Sequence, residues 1–226
     1  MLIDMHMHEK TYSPDSHMSL SEIVAEAKRK GLDAVCITDH DNQDIMDYAH
    51  SYSKEINFPI FVGAEILTKQ GDIVVFGLDE LPGEMLNAWE LLELVKKAGG
   101  IAFSAHPYRK NNRGLEDLIK SIPGLGAVEG FNGSTPRKLN LKACSGAEKR
   151  GIPIVASSDA HLPERVGLFS TKFFGTVRDE QDIIEAIKTH QVKPMQYYQG
   201  EYIDAFIDVE EKQRAFVPGR LVGEPL

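Results

Sequence analysis

The sequence predicts an α/β fold in which a parallel sheet is covered by helices. Short apolar runs alternate about seven times with longer segments of helical periodicity. The apolar runs are hydrophobic throughout, as strands buried on both faces are. Three of the helical segments close on glycine, at Gly31, Gly99-Gly100 and Gly151, and the first opens on a serine N-cap. An open doubly wound sheet and a closed barrel both satisfy this rhythm.

Taken in order, "MLIDMH" is the first expected strand. "MSLSEIVAEAKRKG" follows as a helix, with Leu20, Ile23, Val24 and Ala27 on one face, Ser19 or Ser21 as N-cap and Gly31 as stop. "DAVCITDH" is the second strand, and "NQDIMDYAHSYSKE" a helix ending before Pro59. "IFVGAEI" is the third strand. "DIVVFGL" comes so soon after Lys69-Gln70-Gly71 that a tight turn must join the two. "GEMLNAWELLELVKKAGG" is a strongly amphipathic helix closed by Gly99-Gly100. Then come a strand "IAFSAH", a short helix "GLEDLIKSI", a strand "GAVEGF", and a helix "PRKLNLKACSGAEKRG" with Pro136 in its first turn. A strand "IPIVASSDAH" and a late helix "EQDIIEAIKTH" complete the pattern. From about residue 193 periodicity fades, and "AFVPGRLVGEPL" is expected to pack onto the body. With no linker or repeat, one domain over 1–226 is expected, its motifs in about 1–165 and a helix and tail in about 166–226.

A chain of 226 residues with 42% hydrophobic and 26% charged residues can bury a sizeable core. The formal net charge of −9 argues against broad electrostatic binding to nucleic acid or an anionic membrane. The two cysteines, Cys36 and Cys144, lie in an apolar run and a helical segment, so packed thiols are expected and not a disulfide. No secretory signal is visible, and no apolar run approaches the about 18 residues a membrane span needs. A cytoplasmic protein is the expectation.

Almost every apolar strand ends in a residue that can bind a metal. The first ends in Asp4, His6 and His8, the second in Asp39, His40 and Asp41, the third at Glu65; "IAFSAH" ends at His106, and "IPIVASSDAH" in Asp159 and His161. In α/β folds the carboxyl ends of strands meet on one surface, so these residues should converge. Alternate strand residues face the same way, which pairs His6 with His8 and Asp159 with His161. Imidazoles mixed with carboxylates suit Zn²⁺, Mn²⁺ or Fe. Each signal has a bland reading: Asp41 as a helix cap, Glu65 as a solvated strand end, His106-Pro107 as a turn. Five of the eight histidines fall at these strand ends, which favours a common purpose. His50 and His190 read as surface residues, while His17 lies near the candidate site.

The motifs "DMHMH…SPDS", "ITDHD", "GAE", "AHP" and "SSDAH", in this order, resemble the polymerase and histidinol phosphatase (PHP) superfamily of metal-dependent phosphoesterases. The resemblance runs from Asp4 to His161 and is strongest to short stand-alone members; "LPERVGLF" resembles their C-terminal element. It implies a distorted seven-stranded (β/α)7 barrel of parallel strands, with two or three divalent metals (Zn, Mn or Fe) at the carboxyl ends. By motif, His6, His8, Glu65 and Asp159 would hold the first metal. Glu65 would bridge to a second that also takes His106. Asp15, His40 and His161 would hold a third. Many members carry another histidine on the strand after the bridging glutamate. Here that strand reads "DIVVFGL", with Val74 or a near neighbour in its place, so Asn132 and His17 stand as candidate extra ligands.

The chemistry implied is phosphoester hydrolysis, in which a hydroxide beside Glu65 attacks phosphorus. Arg109 and then Arg165 are the expected phosphate contacts, because arginine forks match phosphate oxygens. Asp4 and Asp39 are expected to lie behind the ligands and orient them. The substrate would be a small phosphomonoester or nucleotide. Alternatives are a nuclease acting on short oligonucleotides, a degenerate module serving structure or protein contact, and a metal-dependent amidohydrolase; the last usually offers a lysine ligand, and no strand-end lysine is apparent.

Overall fold

A computed structural model describes residues 1–209; the tail "AFVPGRLVGEPL" lies outside the described residues. The elements run β1 (Leu2–Asp4), α1 (Leu20–Lys30), β2 (Ala34–Ile37), α2 (Met46–Ile56), β3 (Ile60–Val62), β4 (Ala64–Thr68), β5 (Gly71–Phe76), α3 (Ala88–Lys97), β6 (Ile101–Ser104), β7 (Ala127–Asn132), α4 (Arg137–Arg150), β8 (Ile154–Ser157), β9 (Phe169–Phe173), α5 (Glu180–Lys188), β10 (Val192–Tyr198) and β11 (Glu201–Asp204), with 3₁₀ turns at Glu116–Lys120 and Pro163–Arg165.

Local chemistry sets the helix ends. Ser19 caps α1 in a reciprocal box with Glu22, and Gly31 closes it in the left-handed conformation. Asn87 and Glu90 form the same box on α3. Pro136 sits at the N-cap of α4. The expected "GLEDLIKSI" helix shrinks to the 3₁₀ turn Glu116–Lys120.

Among the described residues the strands form two mixed sheets, ordered β11-β10-β9-β1-β2-β3 and β4-β5-β6-β7-β8. This overturns the expected (β/α)7 barrel: among the described residues no closed ladder of parallel strands is formed. Three local causes are visible. The single run "IFVGAEI" breaks at Gly63, where a Cβ would lie 2.6 Å from the Val75 carbonyl oxygen, and β4 starts a new sheet. The turn Thr68–Gly71 is too short for a crossover helix, so β5 pairs antiparallel with β4 and with β6. Finally, β9 pairs antiparallel with β1 and occupies the edge that β8 would need for closure. Two single bridges, Met7 with Ala160 and His40 with Glu65, join the sheets at one end.

Between the sheets lies a core of Ile3, Met5, Cys36, Val74, Phe76, Phe103 and Phe173, closed below by Ile183, Ile184 and Ile187 of α5. A second cluster packs α1 and α2 beneath β2 and β3. A third packs α3 and α4 on the other sheet. Both cysteines are free thiols and buried; burial pushes the Cys144 thiol up to about 12. No helix among the described residues is long and apolar enough to cross a membrane.

Candidate metal centre

The bridges between the sheets mark where the site forms. The segment after β1 stays extended, and Met7 pairs with Ala160, so His6 and His8 both turn to the same interior side. Glu65 comes from β4 opposite them. His106 follows β6, and Asp159 and His161 follow β8. His106 and Asp159 both hold positive φ, 29° and 51°, a conformation that non-glycine residues keep only under constraint.

Glu65 stands at the centre. Its Oε1 lies 2.9 Å from His106 Nε2 and 3.5 Å from His6 Nε2; its Oε2 lies 2.9 Å from His40 Nδ1 and 3.5 Å from His8 Nε2. Asp159 faces the histidines with Oδ1, at 3.4 Å from His8 Nε2 and 3.7 Å from His6 Nε2. Asp15 Oδ2 reaches His40 Nε2 at 3.2 Å and His161 Nε2 at 3.3 Å. The eight residues expected to ligate metal therefore lie around one centre.

Among the described residues three groups bring ligand atoms within 4.8 Å of one another: His6, His8 and Asp159; Glu65, Asp72 and His106; His8, His40 and His161. Two ligands on one tetrahedral zinc stand about 3.3 Å apart, given zinc–nitrogen bonds near 2.05 Å. The His6 and His8 Nε2 atoms are 3.2 Å apart. Their other nitrogens are committed elsewhere, His6 Nδ1 to Glu129 at 3.1 Å and His8 Nδ1 to Ser13 Oγ at 3.3 Å. Ser13 donates onward to Asp39 at 2.8 Å, so it accepts from His8 Nδ1 and leaves the His8 Nε2 lone pair free. With His6 Nδ1 donating to Glu129, a proton or a metal cation can stand between the two Nε2 atoms, and the donor set fits a metal cation.

The electrostatics agree. Burial alone would lower the His6 pKa, but the Glu65, Asp159 and Glu129 carboxylates hold it well above the ordinary value. Burial drops His8 to about 4. Burial would raise Glu65, yet His6 and the bonds from His106 and His40 hold it well below the usual range. Asp159 is likewise depressed, by His6, His8 and His106 against the effect of burial. Protonated His6 thus takes the place of a cation between buried acids.

The residues expected behind the ligands divide. Burial raises Asp39 to about 6; it accepts from the Glu9 amide at 2.7 Å and reaches His8 only through Ser13. Asp4 is fully buried and raised by that burial to about 6, but it accepts from the Ser158 and Gly167 amides at 2.9 and 2.8 Å. It fastens the backbone next to Asp159 and does not orient an imidazole. Asn132 donates to Asp159 Oδ2 at 3.2 Å and to Glu129 at 2.9 Å, while its oxygen accepts from Ser134 and Thr135. It braces the site. His17 is exposed, and its backbone amide donates to the His161 carbonyl. Arg109 pairs with Asp159 Oδ2, and Arg165 donates to the Gly133 carbonyl at 2.6 Å.

Two site residues escape the sequence reading. Because β5 runs antiparallel, its first residues lie at the site end: Asp72 is there, while Val74 is sealed in the core. Glu129, fully buried on β7, accepts from His6, Ser157 Oγ at 2.6 Å, the His106 amide at 2.6 Å and Asn132. A lone acid inside "AVEGF" was the available signal. Glu129→Gln is expected to weaken cation binding at the His6 group about 10–100-fold by loosening the His6 ring. A Mn²⁺ titration of the folded variant checks this.

A family model described as PHP-associated matches residues 137–192. The chain is 34% identical over 142 residues to the uncharacterized protein MJ1587 of Methanocaldococcus jannaschii, covering 58% of this chain and 82% of that one. It is 32% identical over 183 residues to the uncharacterized protein MJ0417 of the same organism, covering 76% and 70%. Its fold is similar to that of a proposed metal-dependent phosphoesterase from Bifidobacterium adolescentis (TM-score 0.62, 18% identity, 81% of this chain and 94% of that one). It is also similar to the lesion-specific endonuclease PfuEndoQ from Pyrococcus furiosus (TM-score 0.57, 18% identity, 83% and 56%).

Proposed function

Since the chain belongs to the PHP superfamily, we propose that it is a metal-dependent phosphoesterase that hydrolyses a small phosphomonoester or nucleotide. The observation that carries the proposal is Glu65, one buried carboxylate within 3.5 Å of four imidazoles. His6, His8 and Asp159 would hold one cation, Glu65, Asp72 and His106 a second, and His40, His161 and Asp15 a third; zinc, manganese and iron all suit these donors. Bound there, divalent cations would supply Lewis acidity, a water of lowered pKa and neutralisation of phosphate charge.

The chain's own residues do the rest. Glu129 and Ser13 fix the His6 and His8 rings. Asp4 holds the strand end that carries Asp159. Arg109, 27% exposed with its guanidinium on Asp159, stands at the rim where a phosphate would arrive and offers it paired N–H donors. Arg165 is turned to the Gly133 carbonyl and serves the Gly133–Thr135 loop in this arrangement.

The test is phosphate release, with Mn²⁺ added, from a sugar phosphate, a nucleotide bisphosphate and a short single-stranded RNA. Turnover of the small esters supports the proposal. Cleavage of the RNA alone would make the chain a nuclease, and no turnover of any would reject phosphoester hydrolysis. Arg109→Ala is expected to lower kcat/KM about 10–100-fold, mostly through KM, as loss of a charge-assisted contact to phosphate does. Unchanged kinetics would remove Arg109 from the site.

A further inference from the structure

We propose that Arg113 sets the cation affinity of the second donor group by competing with the cation for Asp72. The inference rests on the metal-centre reading above and adds a residue to which that reading gives no role. Asp72 is 1% exposed, and Arg113 grips both of its oxygens, Nε to Oδ2 at 2.7 Å and Nη2 to Oδ1 at 3.0 Å. The backbone repeats the link, since the Asp72 amide donates to the Arg113 carbonyl at 2.6 Å. The guanidinium is thus delivered to this carboxylate by the chain itself.

The decisive detail is which oxygen is used. Asp72 Oδ2 takes Arg113 Nε and is also the oxygen that faces His106 Nε2, at 3.7 Å. A cation shared by Asp72 and His106 through that oxygen shares it with the arginine, whose charge weakens it as a donor. The first group is built differently. Asp159 gives Oδ2 to Arg109 and Oδ1 to the histidines, so arginine and cation use separate oxygens. Arg109 is therefore compatible with a filled first group, whereas Arg113 opposes a filled second group. Arg113 is 36% exposed and has solvent to move into when displaced. His106 already gives Nε2 to Glu65 Oε1 at 2.9 Å, so the same nitrogen that would meet the cation is held at the second group. Arg113 is a positioning residue: it acts on the cation through Asp72. The second group should accordingly bind weakly and exchange readily, while the first binds tightly.

The experiment is calorimetric titration of the chelator-stripped protein with Mn²⁺, alongside the EPR signal of bound Mn²⁺. Wild type, Arg113→Gln, Arg113→Lys and Asp72→Asn are compared, with thermal unfolding to confirm folding. The wild type should show a tight class and a weaker class of site. Arg113→Gln should tighten the weaker class about 10–100-fold and leave the tight class unchanged, the range found when partners of ligands are altered. Asp72→Asn should weaken the same class by a similar factor. Arg113→Lys, with one point of contact, should tighten it at least about threefold, and it decides the matter if Arg113→Gln does not fold. A weaker class unmoved or weakened by the Arg113 substitutions overturns this inference and leaves the metal centre standing. No Mn²⁺ binding by the wild type overturns both.

Discussion

Glu65→Gln is expected to lower phosphate release on the order of a thousandfold or more, about 4 kcal/mol in activation free energy. The size follows from geometry. Glu65 is 1% exposed and touches His6, His8, His40 and His106, so it is common to the surroundings of all three donor groups. Glutamine keeps the volume but removes the charge, and turns one acceptor into a donor aimed at imidazole nitrogen. Cation content should fall by at least one equivalent. The fold should survive, because with Glu65 neutral the protonation of His6 relaxes. Elemental analysis and saturating-Mn²⁺ kinetics on the same folded sample check both parts. A variant within tenfold of wild-type turnover would remove Glu65 from the chemistry.

Adding Mn²⁺ to the stripped protein is expected to raise Tm on the order of 15 °C or more. Glu65, Asp72, Glu129 and Asp159 are each at most 1% exposed and lie around one centre. Without cations their charge is balanced only by Arg109, Arg113 and protonated imidazole. A site filled at a thousandfold excess over Kd stabilises by about 4 kcal/mol, and two such sites by about 8 kcal/mol. For a chain of this size each kcal/mol moves Tm by about 2–4 °C. The sign of the pH dependence is fixed by His6. Its raised pKa means that ligation must displace a proton, which costs more at low pH. The Mn²⁺-induced shift should therefore be larger at pH 8 than at pH 6. Scanning calorimetry at both pH values measures it, and a Tm indifferent to Mn²⁺ and chelator would point to a module that serves structure or protein contact.

The convergence of the candidate metal-binding residues was legible because their spacing is local. Extended backbone puts His6 and His8 on one side whatever sheet contains them, and an apolar run ending in "TDH" or "SSDAH" marks a strand end directly. The sheet's closure was not legible, because it depends on which strand takes each edge. "FSTKF" and "VKPMQYY" carry polar and proline interruptions and do not read as strands, yet β9 occupies the edge of β1. Strand direction was legible only indirectly. The short turn at Lys69-Gln70 announced a hairpin, and a hairpin reverses β5. That reversal carries Asp72, two residues before Val74, to the site and leaves Val74 itself in the core. Arg113 could not be found from its loop composition, since its role lies in which Asp72 oxygen it holds.

The most direct test of the account is reconstitution. The chain is stripped with chelator, its metal content confirmed as nil, and phosphate release from small phosphomonoesters followed as Mn²⁺ is added in counted equivalents. The account predicts no turnover at the start, and activity that appears and saturates within about three equivalents, in step with occupancy of the three donor groups. Full occupancy without phosphate release, or undiminished release from the stripped protein, would contradict it.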